Sequence, residues 1–194
     1  MAHPATLHPA VEAASDGELP TWAVVSARRR AHIERVAGLL DTWATGLGVP
    51  NEERARWRAA GYLHDALRSA EPSALRGDLP PDLGALPPPL LHGPAAANKL
   101  RAMGVDDEEL LTAIASHTIG AAGMGRMGRA LYVADFLDPG RSFLSEWRQG
   151  LRARMPHDME DVLREVVRAR IENLLERGST VLPQTVAFWN ELVA

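Results

Sequence analysis

Residues 51–67, NEERARWRAAGYLHDAL, decide how this chain is to be read. Trp57, Ala60, Gly61 and His64 recur at the three-and-four spacing of one helix face, and Glu52 and Glu53 stand in the first turn, where the helix dipole favours acids. The pattern predicts a helix over 51–67. Its far end is the anomaly, because His64 continues the apolar stripe and Asp65 follows it directly. A carboxylate turned into a helical core costs several kcal/mol unless something pairs with it.

The same anomaly recurs outward from this segment. His32 is in line with Val36, Leu39, Leu40 and Trp43 on a helix expected over 28–47, which Gly48 and Pro50 close. His117 extends the stripe Leu110, Ala113, Ile114, and Asp135 follows Met127 and Leu131. One histidine on an apolar face is usually a core residue satisfied by a carbonyl. Of the seven histidines two lie in the N-terminal tail, and once His92 is added only His157, assigned to a helix start, falls outside the pattern. Several such groups in one small domain need a common partner, and a metal cluster serves them all.

Composition narrows the chemistry. At 194 residues and 46% hydrophobic content the chain suits one compact domain with a sizeable core. The net charge of −4 gives no nucleic-acid footprint. With no cysteine, disulfides, thiolate metal sites and cysteine nucleophiles are excluded together, so any metal must be held by nitrogen and oxygen. No apolar run approaches a membrane span and the first residues do not read as a signal peptide, so a soluble, unprocessed, cytoplasmic protein is expected.

Further helices are expected over 92–104, opened by His92-Gly93-Pro94, and over 107–117 with Asp106 as its cap. Others follow over 126–137, 143–154 and 158–177, and a last one begins at Pro183. Strand-like alternation never persists, so the fold should be all-α, a helical bundle with the metal site in its core. Residues 1–27 read as a flexible or atypical arm and 28–194 as the folded domain, while the proline-rich connection 71–91 reads as an irregular binding loop.

The order His32, His64-Asp65, Asp135 resembles that of the HD-domain metal-dependent phosphohydrolases. More narrowly, Tyr62-Leu-His-Asp65, Leu91-His-Gly-Pro94, His117-Thr118-x-Gly120 with Gly123-Met124, and Tyr132-Val-Ala-Asp-Phe-Leu-Asp-Pro-Gly-Arg141 resemble the YqeK family of symmetrical bis(5′-nucleosyl)-tetraphosphatases. The C-terminal stretch from Leu174 to Gly178, with Pro183, Thr185 and Asn190, is similar to that family as well. The resemblance implies hydrolysis of diadenosine tetraphosphate to two ADP. Arg68 stands where that family usually has lysine and Asp138 where glutamate is more usual, and neither change removes a ligand.

Four imidazoles and two carboxylates can hold two ions, with Asp65 as bridge, His32, His64 and Asp135 completing one set and His92 with His117 the other. Two metal ions are therefore expected, iron by ligand type and resemblance, with manganese as the alternative. A water between two such ions becomes a nucleophile near neutral pH, so Asp65 is the expected catalytic carboxylate. Arg68 and Arg141 are expected to clamp phosphates. By resemblance Thr118, Gly120 and Asn190 join them as substrate contacts.

The expected partner is a dinucleoside polyphosphate or another nucleotide, not a nucleic acid or a membrane, and a homodimer is allowed for. Two other readings stay open at this point: an HD phosphohydrolase acting on a mononucleotide or alarmone, and a metal-stabilised module that binds a nucleotide without turning it over.

Overall fold

The computed structural model describes residues 7–194, whose regular elements are all helical, with no strand among them. In chain order the helices are α1 (Pro9–Ser15), α2 (Ala27–Gly46), α3 (Asn51–Leu63), α4 (Pro72–Gly77), α5 (Pro81–Gly84), α6 (His92–Ala102), α7 (Glu108–Ser116), α8 (Arg126–Phe136), α9 (Ser145–Arg154), α10 (Met159–Glu176) and α11 (Pro183–Val193).

The long helix α2 begins where Ser26 accepts the Arg29 N–H at 3.2 Å. It buries Ile33, Val36, Ala37 and Leu40 against α3. Their crossing is tight enough to dictate a glycine, since a Cβ on Gly61 would lie 2.6 Å from the Ala37 Cα. On the other side α8 packs against α2, α7 and α10, with Leu131, Tyr132, Val133 and Ala134 fully buried. Such burial, at roughly 25 cal/mol per Å² of apolar surface, holds the helices that carry the site.

Three expectations need revision. The helix predicted over 51–67 stops at Leu63. The Gly61 carbonyl, which one more residue of helix would have bonded to the Asp65 N–H, accepts instead from His64 Nδ1 at 2.7 Å. The chain then closes through short i→i−3 bonds, Ala66 N to Leu63 O at 3.1 Å and Arg68 N to Asp65 O at 2.9 Å. The connection 71–91 is ordered into α4, α5 and a 3₁₀ turn at Pro88–Leu90, each started by a proline in its first turn, where the missing N–H costs nothing. Helix α7 is capped by Asp107 instead of Asp106, through a 3.0 Å bond from the Leu110 N–H.

Residues 1–6 of the N-terminal arm lie outside the described residues. The rest of that arm is ordered: α1 buries Val11 and Ala14 and packs along α3. Two apolar residues three apart make a helical face too short to register as periodicity. Past α1, Arg30 donates to the Gly17 carbonyl at 2.6 Å. Val24 then bonds both ways to the turn beyond α3, donating to Ala66 O at 2.7 Å and accepting from Ser69 N at 3.1 Å. No described helix is long and apolar enough to cross a membrane.

Candidate metal centre

Six polar side chains meet in the core, brought there by five segments. His32 comes from the first half of α2, His64 and Asp65 from the turn that ends α3, His92 from the start of α6, His117 from the end of α7 and Asp135 from the end of α8. All are buried, from His64 at 0% exposed to Asp135 at 8%.

Asp65 stands at the centre, and its two oxygens face different partners. Oδ2 lies 3.5 Å from the Nε2 atoms of both His32 and His64, whereas Oδ1 lies 3.0 Å from His92 Nε2 and 3.6 Å from His117 Nε2. His32 Nε2 is also 3.3 Å from Asp135 Oδ1. The donors thus form two groups, His32, His64 and Asp65 on one side and Asp65, His92 and His117 on the other, sharing one carboxylate.

Hydrogen bonds on the outer side of the rings fix which nitrogen faces inward. His64 Nδ1 donates to Gly61 O at 2.7 Å and His117 Nδ1 to Ile114 O at 2.8 Å. A carbonyl can only accept, so the proton of each ring sits on Nδ1 and the Nε2 lone pair turns to the cluster. His32 Nδ1 donates to Asp138 Oδ2 at 2.7 Å, and Asp138 is itself held by the Arg35 guanidinium at 2.6 and 3.0 Å and by the Gly140 N–H at 2.9 Å. Carboxylate–histidine pairs of this kind orient metal ligands.

The donor set fits a metal. Two nitrogens each about 2.1 Å from a common ion, at angles near 90–110°, stand roughly 3.0–3.4 Å apart. The His92 and His117 Nε2 atoms are 3.1 Å apart and those of His32 and His64 3.4 Å. Inward-facing lone pairs at such separations repel unless a cation or proton lies between them. Burial opposes charge on His32, but its bonds to Asp135 and Asp138 outweigh that and raise its pKa to about 9. Burial pushes His92 down to about 4. Burial also opposes the charge on Asp65, yet His64, His117 and His92 hold its carboxyl well below the usual range.

A second layer of cations surrounds the carboxylates. Arg29 Nη1 lies 2.5 Å from Asp65 Oδ2. Asp135 is shared by Arg141, at 2.8 Å on Oδ1, and Arg170, at 3.0 Å on Oδ2. Arg170 also donates to the Thr118 carbonyl at 2.8 Å and lies over the Tyr132 ring, 4.4 Å from its centroid. Burial comes first in lowering the pKa of Arg148 to about 10, followed by repulsion from Arg141 and Arg170.

Of the substrate contacts expected from the sequence, Thr118 Oγ1 lies 3.0 Å from His117 Nε2, and Arg68 lines a cavity that His92 also lines. Arg141 reaches the cluster through Asp135. Gly120, at φ +75°, is packed under α11, where a Cβ would lie 2.1 Å from Phe188 Cδ1, which gives it a structural reason to be glycine. Asn190 is exposed on α11, and His157 is exposed immediately before α10.

Sequence reasoning passed over Arg29, Arg35 and Arg170. The first two stand three residues either side of His32, so the helical spacing that singled out His32 places them on the same side of α2. Arg170 lies 35 residues from Asp135, and no sequence pattern links them.

Residues 29–171 match the HD domain, and the chain belongs to that family. Among curated proteins it is similar to bis(5′-nucleosyl)-tetraphosphatase, symmetrical, of Bacillus subtilis, 32% identical over 108 residues that cover 55% of this chain and 57% of the relative. The protein of the same description from Staphylococcus aureus is 26% identical over 133 residues, covering 66% of this chain and 69% of the relative. The match spans little more than half the length of the first of these relatives. A crystal structure described as a predicted HD superfamily hydrolase involved in NAD metabolism, from Clostridium acetobutylicum, shares the fold, with a TM-score of 0.76 at 24% identity over 87% of this chain and 90% of that one.

Proposed function

We propose that the chain hydrolyses a dinucleoside tetraphosphate symmetrically, giving two nucleoside diphosphates, at a centre holding two metal ions. The observation that carries this reading is the division of Asp65, whose two oxygens each face a separate pair of histidines. A carboxylate so placed would hold both ions. His32, His64 and Asp135 would complete one site, and His92 with His117 the other. Nitrogen and oxygen ligands without sulfur suit iron, with manganese the alternative. The names of the curated relatives supply the substrate class.

When bound, a pair of such ions supplies a water activated near neutral pH and neutralises the phosphoryl oxygens it attacks. The protein's own groups do the rest. Asp138 and the Gly61 and Ile114 carbonyls hold the histidine rings in one orientation. Arg29 and Arg170 pair with the buried carboxylates of Asp65 and Asp135, and Arg141, 43% exposed, has a guanidinium free enough to turn to a phosphate. Arg68 is the phosphate contact on the His92 side, and Thr118 offers a hydroxyl beside His117. The Gly120 loop and Asn190 border the substrate. A cytoplasmic site of action, with a nucleotide instead of nucleic acid or membrane as partner, completes the proposal.

The test is product analysis at early time. One pocket depth places one phosphorus in line with the attacking water, so diadenosine tetraphosphate is expected to give ADP alone. Early ATP and AMP in equal amounts would overturn the symmetrical reading. Turnover confined to a mononucleotide or alarmone would move the chain to another HD phosphohydrolase activity.

A further inference from the structure

We propose that the cavity between the Asp65 turn and the proline-rich connection is a nucleoside pocket. This rests on the reading of the chain as a nucleotide hydrolase and adds where one nucleoside of the substrate sits. The cavity measures about 250 Å³. Arg68 and Ser69 line it from the turn, Leu75, Pro88 and Pro89 from the connection, and His92 from the start of α6.

Size and lining select the occupant. The volume falls just under the roughly 300 Å³ at which pockets for drug-sized ligands begin, so the cavity takes one end of a dinucleotide and leaves the polyphosphate outside. Proline and leucine side chains give a base flat apolar surfaces, and proline loses no conformational freedom when covered. At the rim Arg68 offers a planar fork suited to the oxygens of the adjoining phosphate.

The second observation is His92. It is 3% exposed, and its Nε2 lies 3.0 Å from Asp65 Oδ1 inside the cluster. A histidine whose Nε2 serves a cation carries its proton on Nδ1, and the His92 Nδ1 is buried with no hydrogen-bond partner. His32, His64 and His117 each have a protein acceptor for that nitrogen. A buried donor left unmatched costs about 1–3 kcal/mol, and no protein group offsets that cost at His92. Since one imidazole both lines the cavity and belongs to the cluster, a nucleoside here has its 5′ phosphate within a side chain's reach of Asp65.

The order of the connection supports this. Its three short turns are fixed by Pro72, Pro81 and Pro88, and Arg76 ties two of them together by donating to the Gly84 carbonyl at 2.8 Å. The wall is therefore built before any ligand arrives.

The experiment uses the full chain loaded with metal and calorimetric titration with ADP and with inorganic pyrophosphate. The wild type is expected to bind ADP at least about tenfold more tightly, the surplus coming from the nucleoside. Ser69→Trp, at an exposed position on the rim, is expected to bring the two affinities within about threefold of each other. Pro89→Tyr fills the cavity from the other side and should do the same, and circular dichroism and metal content of each preparation report its fold. If both folded variants keep the wild-type preference for ADP, the nucleoside binds elsewhere and the pocket assignment falls alone. If the wild type itself does not prefer ADP to pyrophosphate, the nucleotide reading falls and the pocket with it.

Discussion

Asp138 receives the His32 Nδ1 proton at 2.7 Å, across 106 residues of chain, and in doing so decides that His32 presents Nε2 to Asp65 and Asp135. Arg35 and the Gly140 N–H hold Asp138 in turn, so the ring is oriented by a carboxylate that is itself fixed. Removing that carboxylate frees the ring without removing a ligand. Asp138→Ala is expected to weaken metal binding about 10–100-fold while leaving the helical content unchanged, measured by competition with a chelator. Metal retention equal to wild type would mean that Asp138 does not position the ring.

Asp65 faces both histidine pairs, whereas His117 faces one of its oxygens only. Elemental analysis is expected to find close to two metals per chain in the reconstituted wild type, almost none in Asp65→Ala, and about one in His117→Ala. At most one metal in the fully loaded wild type would end the dinuclear proposal.

In the metal-free protein the His32 pKa is raised from 6.5 to about 9. A raised value means that protonated His32 stabilises the fold fully below pH 6.5, and that this contribution is lost as pH rises through about 9. The thermal stability of the metal-free protein should therefore fall across that window, and His32→Gln should remove the dependence. Metal loading there must displace the proton, so affinity should rise about tenfold per pH unit up to pH 9. A plateau already reached at pH 7 would contradict the assignment.

Arg141 and Arg170 both contact Asp135 and are expected to differ in effect. Arg141 is 43% exposed, and without it Arg170 still pairs with the carboxylate. Arg141→Ala should raise KM or lower kcat by about tenfold with metal content and fold intact. Arg170 is more deeply buried, and Arg170→Met breaks a buried pair, a change that costs about 3–5 kcal/mol and should show as a lowered Tm. Equal loss of Tm in the two variants would make Arg141 structural.

Val24 is the residue through which the N-terminal segment grips the turn carrying Asp65. Val24→Pro deletes the N–H that bonds Ala66 O, leaving a buried acceptor unmet at about 1–3 kcal/mol. Urea unfolding should register that loss together with easier removal of metal by chelators. Unchanged stability would show that the strap only covers the surface.

The helices and the cluster were legible in the sequence because both depend on local spacing. A stripe such as Val36, Leu40, Trp43 specifies a helix and its buried face, and a histidine on that stripe has nowhere to point but inward. From that follow the all-α fold and the inward positions of His32, His64, His117 and Asp135, with Asp65 beside His64, whereas His92 joined them through the resemblance and the nitrogen and oxygen character of the site came from the absence of cysteine. What the tertiary structure alone decided are contacts between residues far apart in sequence. They include the pairing of His32 with Asp138, the sharing of Asp135 between Arg141 and Arg170, the closure of Phe188 on Gly120 and the strap from Val24 to Ala66 and Ser69. A side chain's periodicity says which way it faces. Only the packing of helices against one another says what it meets there.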